Sequence, residues 1–266
     1  MREMIDIALR NTPLWLIAIV IIAVGTGICA LTVAILHRFD KRSAIKIDKG
    51  SRSYIVTPIF ALLAFMLAST FSMGLSRFDA RRAAMTDEVN AISTEYQRAS
   101  MLDDPAASQL RAELRAFAHC RIVPDVVTPA ELTSRARKCR SLGAQLWTTT
   151  RNSLVTLRTN TLGTNVTTGM NDVLNAARRR DIASRAFIPT RVLSMLLICI
   201  AAASAALGFA LSDTKQRFHA GSILLLALYA ISFVLILDID GSMKGAITVS
   251  QRPMRDLAAE LDANSP

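Results

Sequence analysis

An all-α integral membrane protein, with four transmembrane helices and a helical extramembrane segment between helices 2 and 3, is what this sequence predicts. Three observations carry the reading. The 266-residue chain is 52% hydrophobic with a mean hydropathy of +0.35, too apolar for an ordinary soluble domain of its length. Residues 14–36, 55–76, 192–211 and 220–237 contain no Asp, Glu, Lys, Arg or His, and each is near the ~20 residues a helix needs to cross about 30 Å of hydrocarbon. The segment 77–191 is polar by contrast and holds 18 of the 31 basic residues.

The first hairpin, residues 1–76, contains spans 14–36 and 55–76. Arg2 and Arg10 precede the first apolar run, as in a signal peptide. The run is longer than an h-region of about 7–15 residues and no small-residue cleavage site follows, so it reads as a retained span. Cys29 follows Ile28, where a lipoprotein site would place a small residue.

Segment 77–191 reads as helical. Met85, Val89, Ile92, Tyr96 and Ala99 are spaced 4, 3, 4 and 3, a narrow heptad stripe that continues the second span as a stalk. "LDDPAAS" (102–108) ends it, and Pro105 opens a second helix carrying Leu110, Leu114 and Phe117. Pro124 and Pro129 mark a further loop. Nine threonines between Thr148 and Thr168, with Gly163 and Gly169, leave the next stretch dependent on packing for any helix it forms.

The second hairpin, residues 192–237, holds spans 192–211 and 220–237, and residues 238–266 form a tail. "AITVS" (246–250) alternates like one short strand. Four spans put both termini and segment 77–191 on one side. Loop 38–54 carries six Lys/Arg, which taken alone draws that loop to the cytoplasm. Summing all basic residues near the span ends favours a cytoplasmic placement of segment 77–191 and both termini. That is the adopted expectation.

The net charge of +10 comes without a nucleic-acid motif, and basic residues beside spans suit anionic lipid. The partners expected are the bilayer and a small anion, with no nucleic acid. Cys120 and Cys139, in the polar segment, are expected as thiols, a disulfide requiring an oxidising compartment. His119, Cys120 and Cys139 do not make a zinc spacing, so no metal and no cofactor are expected. No GxSxG, HExxH, P-loop or GxGxxG occurs, which argues against an enzyme.

Two groups of residues stand out as sites. "DIDGS" (238–242) starts like a calcium loop, but Met243 and Val249 stand where a glycine and a glutamate would be needed. The other reading is electrostatic. Acids at a helix C-terminus meet its partial negative charge, so Asp238 and Asp240 are expected to pair with Arg77, Arg81, Arg82, Arg185 or Arg191. The spans have uncharged cores, which excludes a proton relay. Their small and hydroxylated residues fit close helix packing, and equally a pore lined by Ser69, Thr70 and Ser72 of the second span.

The tail pattern Asp238-x-Asp240, then Gly245-x-Ile247-x-Val249-Ser250-x-x-Pro253-Met254, resembles the C-terminal signature of the bacterial bestrophin-like membrane proteins, a family defined as a domain of unknown function. "FDARRAAMTDEVNAISTEYQRASML" (78–102) looks like that family's stalk, and "NDVLNAARRRDIASRAFIPTRVLSMLL" (171–197) like its approach to the third span. Residues 241–243, Gly-Ser-Met, depart from the family's usual Arg-Pro-Phe, and "SYIVTPIF" lacks its usual glycine. The resemblance implies a relation to bestrophins, which are pentameric anion channels with a large cytoplasmic helical region. The function and place that the resemblance implies are passive anion conduction by a homo-oligomer in the bacterial inner membrane. The alternative is a non-conducting membrane scaffold or signalling protein acting through its helical segment.

Overall fold

The computed structural model describes residues 12–40, 49–102, 105–124, 128–153, 161–212, 220–241 and 245–264. Among them run eight helices: α1 (Leu14–Asp40), α2 (Lys49–Ala99), α3 (Ala106–Arg121), α4 (Pro129–Ser153), α5 (Thr161–Ser184), α6 (Thr190–Leu211), α7 (Ala220–Asp240) and α8 (Arg252–Ala263). Four of these, α1, α2, α6 and α7, are long and apolar enough to cross a membrane. The middles of loops 38–54 and 212–219, and Met243, lie outside the described residues. The chain divides into two compact units, residues 1–78 with 187–248, and 79–186 with 249–266.

The first unit is the membrane bundle. Ile17 and Ile21 of α1, Leu63 of α2, Leu196 and Ile200 of α6, and Ala230, Phe233 and Ile236 of α7 are buried in one apolar cluster. Lipid tails are as apolar as these side chains, so close approach of the helices matters more here than removal from water. Gly208 of α6 supplies it: an added Cβ would stand 2.5 Å from the Cys29 carbonyl oxygen of α1. Several hydroxyls inside the spans are satisfied along their own helices. Thr26 donates to the Ile22 carbonyl at 2.7 Å and Ser204 to that of Ile200 at 2.8 Å, so these two hydroxyl hydrogens are not stranded in hydrocarbon.

The second unit is a helical bundle with a core of its own. The stripe read from the sequence forms its spine: Met85, Ile92, Tyr96 and Ala99 are buried, with Val89 packed beside them. Leu110, Leu114 and Phe117 of α3 pack on that spine, as do Leu146 of α4 and Val166, Met170 and Val173 of α5. The threonine- and glycine-rich stretch is therefore helical because tertiary packing outweighs its weak propensity. Helix α8 starts with a proline in its first turn and closes the cluster with Met254, Leu257 and Leu261.

Two expectations are corrected. Residues 246–250 are irregular: a strand needs a neighbour to hydrogen-bond with, and Val249 instead packs against the second unit's core. Cys120 and Cys139 form a disulfide rather than standing as thiols. The end of α3 and the early turns of α4 run past each other with these Cα atoms 5.6 Å apart, within the range that a disulfide can bridge.

Candidate functional site: an exposed polar face on the second span

A helix turns about 100° per residue, so positions three and four apart share a face. In α2, Leu62, Phe65, Ser69, Ser72 and Ser76 follow that alternation, and all are exposed in the single chain. Phe65 is 64% exposed. The most apolar window of α2 is also the least covered by its own chain, 17% buried against 44% for α6 and 39% for α7. Apolar side chains facing lipid need no further explanation, but three serines on consecutive turns of one face gain nothing from hydrocarbon. Beyond the span the same register passes through Asp79, Ala83, Thr86, Asn90 and Gln97, all exposed.

Two of the three residues read as pore-lining, Ser69 and Ser72, share this face. Thr70 does not. One residue on from Ser69, it is 3% exposed and donates its hydroxyl to the Met66 carbonyl at 2.7 Å, so it belongs to the interior of the bundle. Ser76 was missed by the sequence reading, although it follows Ser69 and Ser72 at the same helical spacing.

The aspartates that end α7 are both buried. Asp240 Oδ1 accepts the backbone N–H of Ile188 at 2.9 Å, just before α6 begins. Asp238 Oδ1 accepts the N–H of Ala246 at 2.9 Å. Gly245, at φ +133°, lies so close to Asp238 Oδ1 that a Cβ would overlap it. The two carboxylates thus fasten the start of α6 and the fold-back of the tail through backbone amides. Of the arginines expected near them, Arg77 and Arg191 belong to the first unit, and Arg81, Arg82 and Arg185 to the second. Arg81 is buried, Arg77 is half-buried with its Nε lacking a hydrogen-bond partner, and the other three are exposed.

The second unit contains a buried ionic network. Glu88, fully buried on α2, accepts from Arg121 Nε at 2.5 Å and from Arg180 Nη1 at 2.7 Å. Arg121 Nη1 also donates to Asp181 Oδ1 at 2.9 Å and its Nη2 to the Ala177 carbonyl at 3.2 Å. Arg180 Nη2 reaches Gln251 Oε1 at 2.9 Å, which ties α2, α3 and α5 to the residue before α8. Burial works against both guanidinium charges. For Arg121 the carboxylates of Glu88 and Asp181 outweigh it and raise the pKa above the ordinary arginine value; for Arg180 burial prevails, with Arg121 adding to it, and the pKa is lowered.

Two further acids are buried beside this core. Glu113 Oε1 accepts from Gln109, Gln145 and Thr149 at 3.1, 3.0 and 2.9 Å. Neither oxygen of Glu95 has a hydrogen-bond partner, and Arg98 Nη1 stands 3.7 Å away. Burial, opposed by Arg98 and reinforced by Asp172, pushes the Glu95 carboxyl up to about 8. Gly169 of α5 makes room for it, since a Cβ there would overlap Glu95 Oε2. Among the described residues no cluster of three or more His, Cys, Asp or Glu could hold a metal.

Four long apolar helices with a helical unit between the second and third define the class, an all-α multi-pass membrane protein. Within it the family is shown directly. The Bestrophin-like domain model matches residues 23–254, and the chain belongs to the bestrophin-like family. No curated protein matches it. Among solved structures, a tryptophan-to-alanine variant of a bacterial Bestrophin homolog from Klebsiella pneumoniae superposes with a TM-score of 0.64 at 12% identity, covering 96% of this chain and 97% of that one. A tyrosine-to-alanine variant of that homolog gives 0.65 at 11% identity, covering 91% and 97%. At such identities the likeness is one of fold alone.

Proposed function

We propose that this bestrophin-like protein is a homo-oligomeric channel through which small anions pass passively. Copies of α2 surround the axis, and Ser69, Ser72 and Ser76 line the pore. The observation that carries the reading is the exposed face of α2, polar within a span that its own chain leaves largely uncovered. Serine hydroxyls donate hydrogen bonds to an anion without the desolvation cost of a fixed charge, and Leu62 and Phe65 on the same face supply an apolar constriction. The basic surface concentrates anions near the mouth. Pairing of Asp238 or Asp240 with Arg77, Arg81, Arg82, Arg185 or Arg191 remains part of this proposal.

Native mass spectrometry from mild detergent gives the subunit number, and anion efflux from proteoliposomes gives the activity. A closed ring whose flux is abolished by Ser72→Trp, with Leu224→Trp on the exposed side of α7 as the control, is the expected result. A monomer or dimer leaves no axis for α2 to line, and the protein is then a scaffold acting through its helical unit.

A further inference from the structure

We propose that Cys120 and Cys139 form a reversible thiol–disulfide site, opened and closed by exchange with glutathione, which clamps or frees the first half of α4. This role rests on the cytoplasmic placement of segment 77–191 that the basic residues at the span ends favour, and not on conduction.

The bridge sits at a junction of helices within the second unit. Consecutive side chains on a helix point about 100° apart, so the last residues of α3 fan out to several neighbours. His119 Nε2 meets Asp262 Oδ2 of α8 at 3.0 Å. Cys120 is joined to Cys139 of α4. Arg121 reaches Glu88 of α2 and Asp181 of α5. The links to α2, α5 and α8 do not depend on redox state, whereas the covalent link to α4 does.

The first half of α4 depends on that link. The apolar cluster of the unit takes Leu146 from α4, with Leu142 packed against it, and among the described residues of α4 none ahead of Leu142 joins it. Ahead of Leu142 the helix is held by the bridge and by Arg135, whose Nε donates to the Cys120 carbonyl at 3.1 Å and Nη2 to that of His119 at 3.2 Å. Cys120 and Cys139 are 7% and 6% exposed. A small thiol therefore reaches the sulfurs only as these turns lift, so exchange and loosening of α4 are one event.

Disulfides are rare where glutathione keeps thiols reduced, and those that occur there are mostly catalytic or redox-sensing. Arg135, Arg137, Lys138 and Arg140 lie within four positions of Cys139. Their charge favours the thiolate, the form that attacks, and draws glutathione, which carries net negative charge. On closing, one cysteine thiolate attacks glutathione disulfide and releases one glutathione, leaving a mixed disulfide. The second cysteine then displaces the other glutathione. The two protein thiols lose two protons and two electrons, and glutathione disulfide takes them up as two glutathione thiols. Opening is the reverse.

The test equilibrates the full chain in detergent with glutathione mixtures, then acid-quenches, denatures and alkylates it. Four cysteines are expected to alkylate in a mixture as reduced as the cytoplasm, and two in glutathione disulfide, with a return to four when glutathione is added back. A bridge that stays closed in the reduced mixture is a permanent staple and overturns the proposal. Hydrogen exchange is expected to be faster at residues 130–141 of the open form and unchanged at 106–118 of α3, with Cys120→Ser, Cys139→Ser giving the open pattern in either mixture. Exchange unchanged at 130–141, or raised equally in both segments, overturns it too. In intact bacterial cells the bridge is expected to be open during growth and closed after the thiol oxidant diamide; a bridge in one state throughout overturns the proposal.

Discussion

Asp240, the last residue of α7, accepts the backbone N–H of Ile188 through Oδ1 at 2.9 Å, so one carboxylate ties the end of the fourth span to the approach to the third. A buried N–H without an acceptor costs about 1–3 kcal/mol. Asp240→Ala is therefore expected to lower the melting temperature in detergent, while Asp240→Asn, which keeps an acceptor oxygen, retains most of the stability. Equal melting temperatures for wild type and the alanine variant would remove this role.

Gly245 is the matching requirement on the tail. Its φ of +133° disfavours any side chain, and a Cβ would overlap Asp238 Oδ1. Gly245→Ala therefore strains the backbone and displaces the carboxylate that holds Ala246, at a cost of roughly 1–3 kcal/mol from the backbone alone. Thermal unfolding checks it, and Gly27→Ala is the comparison, since nothing lies within 4 Å of a Cβ at that position.

Glu88 accepts from two guanidinium groups, and both arginine side chains are only 11% exposed. Removing one member of a buried ionic group leaves the rest uncompensated, at about 3–5 kcal/mol. Glu88→Ala is expected to unfold the helical unit at a markedly lower temperature. Asp181→Asn, at a side chain 57% exposed, is expected to change stability far less. Comparable losses in the two variants would contradict the central place given to Glu88.

The disulfide closes a loop between residues 19 apart in sequence. On a chain-entropy view such a crosslink contributes about 3 kcal/mol by restricting the unfolded chain. Reductant should lower the melting temperature of the wild-type protein, and it should leave Cys120→Ser, Cys139→Ser unchanged. Wild-type protein that is insensitive to reductant after full reduction would show that the crosslink contributes nothing.

What could be read from the sequence follows the range of the forces involved. The four spans and the Met85–Ala99 stripe are periodic and apolar, and burial selects them position by position. Glu88 and Glu95 fall on that same buried side, at Met85, Glu88, Ile92, Glu95 and Ala99. An acid there was the available signal for the ionic core, but its partners Arg121 and Arg180 come from helices with no sequence proximity. Asp238 and Asp240 each accept a backbone amide, a donor that every residue but proline offers, so no residue type announces those bonds. Thr70 was grouped with Ser69 by adjacency, although neighbours on a helix point about 100° apart. The cysteine pairing depends on how α3 and α4 run past each other, which spacing alone does not encode.

Glu95 gives the helical unit a dependence on pH whose direction follows from its environment. Burial is the main cause that raises its pKa from 4.5 to about 8, Arg98 opposes it, and Asp172 adds to it. A carboxyl raised in the folded state favours folding while both states are protonated, below about 4.5. That advantage declines as the pH climbs and the unfolded chain ionises first, and it is gone once the pH has passed about 8. Glu95→Gln keeps the shape and removes the titration. The melting temperature of the wild-type protein is therefore expected to fall relative to that of Glu95→Gln between pH 4.5 and 8 and to run parallel outside this window. Parallel curves throughout would mean that Arg98 holds the carboxylate ionised at neutral pH, and Arg98→Ala would then be the variant that destabilises the unit.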